Sequence, residues 1–146
     1  MKPLTKLKIN AWHEAGHIVV GWLMGCKPIK ARISPRGGYV DFAVNRMTDY
    51  AFAKRVWAGA AAVAIRFHIS FGQAAIGSWD DLFELDDMDL PYDLDRRMHK
   101  SVTATLRANW GKLQAVAEAL MQRKHLDADA IQEILVSAKR GRKSPA

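Results

Sequence analysis

A chain of 146 residues, 49% apolar and 25% charged, has the size and composition of one globular domain. Five Trp, five Phe and three Tyr exclude a disordered chain, a lone cysteine, Cys26, excludes an internal disulfide or a Cys-based zinc ribbon, and no window nears the roughly 18 unbroken apolar residues of a membrane span. The net charge of +7 is uneven, because eight of the fifteen acids lie between Asp80 and Asp95, where there is no Lys or Arg. The bases are scattered, up to the closing run Lys139 to Lys143, and read as a solvated face without a specific nucleic-acid module. The acidic run lacks the glycine-punctuated spacing of an EF-hand. Without the charged-then-apolar order of a signal peptide, the chain reads as intracellular, with a cytoplasmic location expected.

The first helical pattern runs from about Thr5, a candidate N-cap, to Met24, with apolar residues at spacings of three and four and Gly25 as a left-handed stop. Two β-like runs follow, 30–34 and 38–44, and Pro35-Arg36-Gly37 between them predicts a hairpin. Asp49 is a candidate cap for a second helix reaching about Phe67, in which the low bulk of Ala58 to Ala62 admits a close neighbour. A loop with Gly72 and Gly77 leads to Ser78-Trp79-Asp80-Asp81, the form of a capping box. From Asp93 to about Arg123 one apolar face predicts a long helix, bent at Gly111, and Asp127 caps a last helix ending near Gly141. The expected organisation is one domain over 1–139, mainly α with a small β-hairpin, and a basic, flexible tail over 140–146.

The residues that carry chemistry are His13-Glu14-Ala15-Gly16-His17, an H-E-x-x-H pattern within the first helix. Residues four apart stand on one helix face, so His13 and His17 can present ring nitrogens to one ion about 2 Å away. Glu14, next round the helix, can accept a proton from a water held there. Zinc is the expected ion, since neutral imidazole suits it and it acidifies bound water. Gly16 costs about 1 kcal/mol against Ala in a helix interior, which is explained if the backbone passes close to another element. A catalytic zinc takes a third protein ligand. His68, His99, His125 and the acidic cluster are the candidates, and spacing does not choose among them, although the three histidines read as surface residues.

Ala11 to Val20, containing this pattern, resembles the zinc-binding helix of the FtsH-type proteases, the membrane-anchored AAA+ zinc metallopeptidases. Ser34-Pro35-Arg36-Gly37-Gly38-Tyr39 is similar to a shortened form of that family's proline-arginine-glycine segment, and Ala58-Gly59-Ala60-Ala61-Ala62 to its small-residue helix. Gly77-Ser78-Trp79-Asp80-Asp81-Leu82 resembles the segment whose final Asp supplies the third zinc ligand, and Leu113 to Ile131 the closing helices. The resemblance implies a zincin-like domain in which His13, His17 and Asp81 are the zinc ligands and Glu14 is the catalytic base. Asp80 is the neighbouring alternative, and Asp81 has a competing role as the last residue of the capping box. Val63 and Ala64 stand where the family has a pair of glutamates, and the sequence carries no Walker A loop.

The expected activity is therefore zinc-dependent hydrolysis of extended or unfolded polypeptide, received along the hairpin edge near 38–44. Any unfolding is expected from an unfoldase or adaptor in trans. Two other readings are a non-catalytic zincin-like interaction module and a regulatory peptidase that cleaves a DNA-binding protein. Glu14 favours an enzyme, because a structural zinc site needs no base beside its ligands.

Overall fold

The computed structural model describes residues 2–43, 46–76 and 92–143. Helix α1 spans Pro3–Leu23 and opens on Pro3, where a missing N–H costs nothing and a fixed φ suits the first turn. The helix thus begins before Thr5, with Lys2 as an N-cap that makes no side-chain hydrogen bond. Its end is a Schellman motif. Gly25, at φ 87°, donates to the Trp22 carbonyl (3.0 Å), and Cys26 donates to that of Gly21 (2.8 Å).

Strands β1 (Pro28–Ser34) and β2 (Gly37–Phe42) form an antiparallel hairpin around Pro35-Arg36, with Ser34 opposite Gly37 and Ala31 opposite Val40. The register slips between Pro28 and Lys30. A third strand that the sequence does not announce, β3 (His125–Asp127), pairs with the other side of β1, placing Leu126 opposite Ala31. Among the described residues the order β2-β1-β3 leaves β2 at an edge.

Helix α2 (Asp49–Phe67) is capped by Thr48, whose Oγ1 accepts from the Ala51 N–H at 3.1 Å, one residue before the expected Asp49. Asp49 lies in the first turn, where a carboxylate favours the positive end of the helix dipole. Residues 71–76, expected as loop, form helix α3 (Phe71–Ile76). Ser70 and Gln73 make reciprocal capping bonds of 3.1 Å there, so this box opens the helix despite Gly72. The proposed box at 78–81 lies outside the described residues.

The expected long helix is two, α4 (Tyr92–Ala108) and α5 (Trp110–Arg123), broken at Asn109. The chain's own end intrudes at the break. Trp110 N–H donates to the Gly141 carbonyl (3.1 Å), Lys143 N–H donates to that of Arg107 (3.0 Å), and Arg140 Nε donates to Asn109 Oδ1 (3.1 Å). A Cβ on Gly111 would strike the Lys139 carbonyl oxygen. Of the segment expected as a basic tail, residues 140–143 occupy this position, and 144–146 lie outside the described residues. Asp127 caps α6 (Ala128–Ser137) through Ala130 N–H at 2.8 Å. Buried Lys112 donates to the carbonyls of Leu135 and Ala138 at the far end of α6, answering acceptors the helix leaves open.

The described architecture is mainly helical with a small three-stranded antiparallel sheet. Helix α1 is its axis, packed against α2, α5 and the sheet. Ala11, Ala15, Ile18, Val19 and Val20 are wholly buried and join Val102, Leu106, Leu113, Val116, Leu120, Ile131 and Leu135 in one core. A smaller cluster of Ala53, Val56 and Met98 ties α2 to α4. Among the described residues no helix is long and apolar enough to cross a membrane.

A Cβ on Gly16 would meet the Ala58 backbone carbonyl and lie 2.9 Å from the Ala62 methyl. Gly16→Ala gains about 1 kcal/mol of helix propensity but overpacks against backbone that cannot yield, a cost of about 1–3 kcal/mol or more. A net loss of stability is expected, read as a lower urea midpoint at unchanged slope. A midpoint equal to or above that of the unsubstituted chain would show that the two helices do not meet at this glycine.

Candidate metal centre

Helix α1 would be an ordinary buried helix but for the polar residues on its inner surface. Glu14 is 5% exposed and His17 8% exposed, while His13 is half-buried. Polar groups at that depth need partners. For His17 the partner is backbone: Nδ1 lies 2.8 Å from the Arg55 carbonyl oxygen on α2. A carbonyl oxygen only accepts, so Nδ1 carries the proton and, in the neutral ring, Nε2 carries the lone pair.

That lone pair faces His13. The two Nε2 atoms are 3.0 Å apart, with ring centroids at 4.7 Å and planes at 80°. Two lone pairs at this distance repel unless a proton or a cation lies between them. Ligands about 2.0–2.1 Å from a tetrahedral ion stand about 3.3 Å from each other, close to the spacing here. One ligand atom from each of His13, Glu14 and His17 lies within 4.8 Å of the others, and these residues form the convergent group among the described residues that can hold a metal ion. The donor set fits such an ion: two imidazoles, one oriented by a backbone carbonyl in the manner of known metal sites, beside a carboxylate.

The room for this group is made by glycines on facing elements. A Cβ on Gly59 of α2 would lie 2.6 Å from His13 Nε2 and 2.7 Å from His17 Nε2. A Cβ on Gly38 of β2 would lie 2.9 Å from Glu14 Cγ and 2.8 Å from the Arg32 carbonyl oxygen. Gly59 thus bounds the site on the α2 side and Gly38 on the β2 side. Neither is assigned a site role by sequence spacing. The small-residue run around Gly59 signals a close approach, whereas Gly38 is hidden in what reads as turn chemistry.

The other candidates fall elsewhere. His68 is the exposed left-handed cap of α2, at φ 54°. His99, on α4, packs its ring 4.5 Å from that of Phe71, and burial holds its pKa below the usual histidine value. His125 is exposed at the start of β3. None of these three belongs to the group formed by His13, Glu14 and His17. Asp81 and its alternative Asp80 lie outside the described residues.

Gly59→Ala tests the geometry. The atoms its methyl meets are ring atoms and not backbone, so the helix is expected to persist while both imidazoles are displaced. Zinc affinity, measured by competition with a chromophoric chelator, is expected to fall about 10–100-fold, the scale on which misplaced ligand orientation acts. Unchanged affinity would place the metal-binding group elsewhere.

No family model matches the chain, and no curated protein matches it.

Proposed function

We propose that the chain is a zinc metallopeptidase acting on extended polypeptide, a zincin-like domain akin to the peptidase part of the FtsH-type proteases. The observation that carries this reading is the convergence of His13 Nε2 and His17 Nε2 at 3.0 Å beside the buried Glu14 carboxylate. His13 and His17 would hold the ion, with Asp81 as the third ligand on the resemblance and Asp80 as its alternative. When bound, zinc supplies an acidified water and polarisation of the scissile carbonyl.

The remaining work falls to the chain's own residues. Glu14 is the base that takes the proton of the attacking water at a carboxylate oxygen and returns it to the departing amine. Its burial keeps bulk solvent from the proton in transit. The edge strand β2 supports an extended substrate, since among the described residues it pairs with β1 on one side only, and it passes Glu14 at Gly38. A segment added to that edge gains main-chain hydrogen bonds, which give affinity with little demand on side-chain sequence. Acting by itself, the domain cuts segments already extended, and folded substrates require an unfoldase or adaptor in trans.

Elemental analysis is expected to give about one zinc per chain, reduced in His17→Ala and Asp81→Ala. Glu14→Gln is expected to keep its zinc and lose about 10²–10⁴-fold in cleavage of an unfolded polypeptide such as reduced, carboxymethylated albumin. Cleavage unchanged in that variant, or absence of bound zinc after add-back, would sink the proposal. A folded, stable protein should resist digestion under the same conditions, and equal cutting of both would overturn the assigned substrate class.

A further inference from the structure

Between α1, the C-terminal end of α2 and α5 lies a cleft of about 550 Å³, within the range of small-molecule sites. None of His13, Glu14 and His17 lines it. Its floor is a pair of indoles, Trp12 and Trp110, stacked with centroids 5.2 Å apart and planes 26° apart. Cations stand over both rings. The Arg66 guanidinium is 5.2 Å from the centre of Trp12, and the Lys143 ammonium is 4.2 Å from that of Trp110. Lys8, one turn before Trp12, adds a third cation, and Glu118 is the one carboxylate lining the cleft among the described residues.

Lys143 is held where it is. Its backbone N–H is bonded to Arg107, and its Nζ donates to the Ile65 carbonyl at 3.2 Å. That bond uses one of three ammonium protons. The Ile65 carbonyl belongs to the last turn of α2, whose dipole presents only about half a negative charge. One cation answers that end, yet Arg66 and Lys143 both stand there, with Lys8 across the cleft. Burial, then the charges of Arg107 and Arg66, pull the Lys143 pKa below the usual lysine value, as expected where like charges crowd. Among the described residues that line the cleft the excess is positive, and the walls beside it are aromatic.

We propose that this cleft binds an organic phosphate of about mononucleotide size, its phosphate held by Lys8, Arg66 and Lys143 and its planar or apolar body lying along the partly exposed indole of Trp110, which stacks on the buried Trp12. A doubly charged group suits three cations better than a single carboxylate does, and the guanidinium fork matches phosphate oxygens. The site is independent of the peptidase reading, since it shares no side chain with the metal centre.

The test is isothermal titration calorimetry at low salt with AMP, adenosine and inorganic phosphate as probes. One AMP is expected to bind per chain, more tightly than either adenosine or phosphate, with affinity falling as salt is raised. The double variant Arg66→Gln/Lys143→Gln is expected to weaken AMP binding at least tenfold. Lys8→Gln, on the exposed side of α1 and apart from the C-terminal segment, is expected to weaken it about threefold with the circular dichroism spectrum and melting temperature unchanged. The proposal is overturned by absence of saturable AMP binding at millimolar concentration, by adenosine or phosphate alone matching AMP, or by affinity unchanged in Lys8→Gln and the double variant.

Discussion

Helices α1 and α2 meet backbone to backbone, and the rest of the molecule is arranged around that contact. Gly16 clears the Ala58 carbonyl, and from the opposite helix Gly59 clears the two imidazoles. Each glycine sacrifices helix propensity, so the approach must be sustained by burial. The source is the apolar surface that α1 shares with α2, α5 and the sheet, where five of its side chains are fully buried. The same closeness brings the Arg55 carbonyl to His17. A wider spacing would leave a buried imidazole nitrogen without its acceptor, which is more costly than the loss of a hydrogen bond at the surface.

The outer elements hold this axis from both ends. The hairpin covers α1 on one side, and β3 extends its sheet by pairing with β1 immediately before α6 begins, so that Asp127 serves as both the last strand residue and a helix cap. On the other side the C-terminal segment supplies carbonyls to the first N–H groups of α5, which in most helices are answered by a capping side chain or by water. Asn109, placed where such a cap would stand, bonds instead to the Thr105 carbonyl and Arg140.

What could be read from the sequence depended on whether the determining contact was local. The H-E-x-x-H spacing, the Gly25 stop, the Asp127 cap and the Pro-Arg turn are set by residues within a few positions of each other, and the structure has each of them. Strand β3 is three residues long and pairs with β1 more than ninety positions earlier, beyond the reach of any periodicity. The break at Asn109 has the same cause, since its partners Arg140 and Gly141 come from the chain's end. Helix α3 was hidden for another reason: Gly72 reads as a loop signal, and the Ser70–Gln73 box that overrides it is legible only when the glycine is given less weight. In the site, His13, Glu14 and His17 were readable as a group. Gly38 and the Arg55 carbonyl were not, the first because it reads as turn chemistry and the second because a main-chain oxygen leaves no trace in residue identity.

Whatever amino acid stands at 55 supplies the same oxygen, so the tautomer of His17 is protected against drift at the residue that sets it. Alanine scanning would pass over the position as regards ring orientation, registering the side chain's stacking on Phe42 and Phe52 and its hydrogen bond to Cys26 Sγ. In a regular α-helix the acceptor at 55 also receives the N–H of residue 59. One oxygen therefore joins the orientation of the imidazole to the glycine that gives it space, and a distortion of α2 at this turn would disturb both at once.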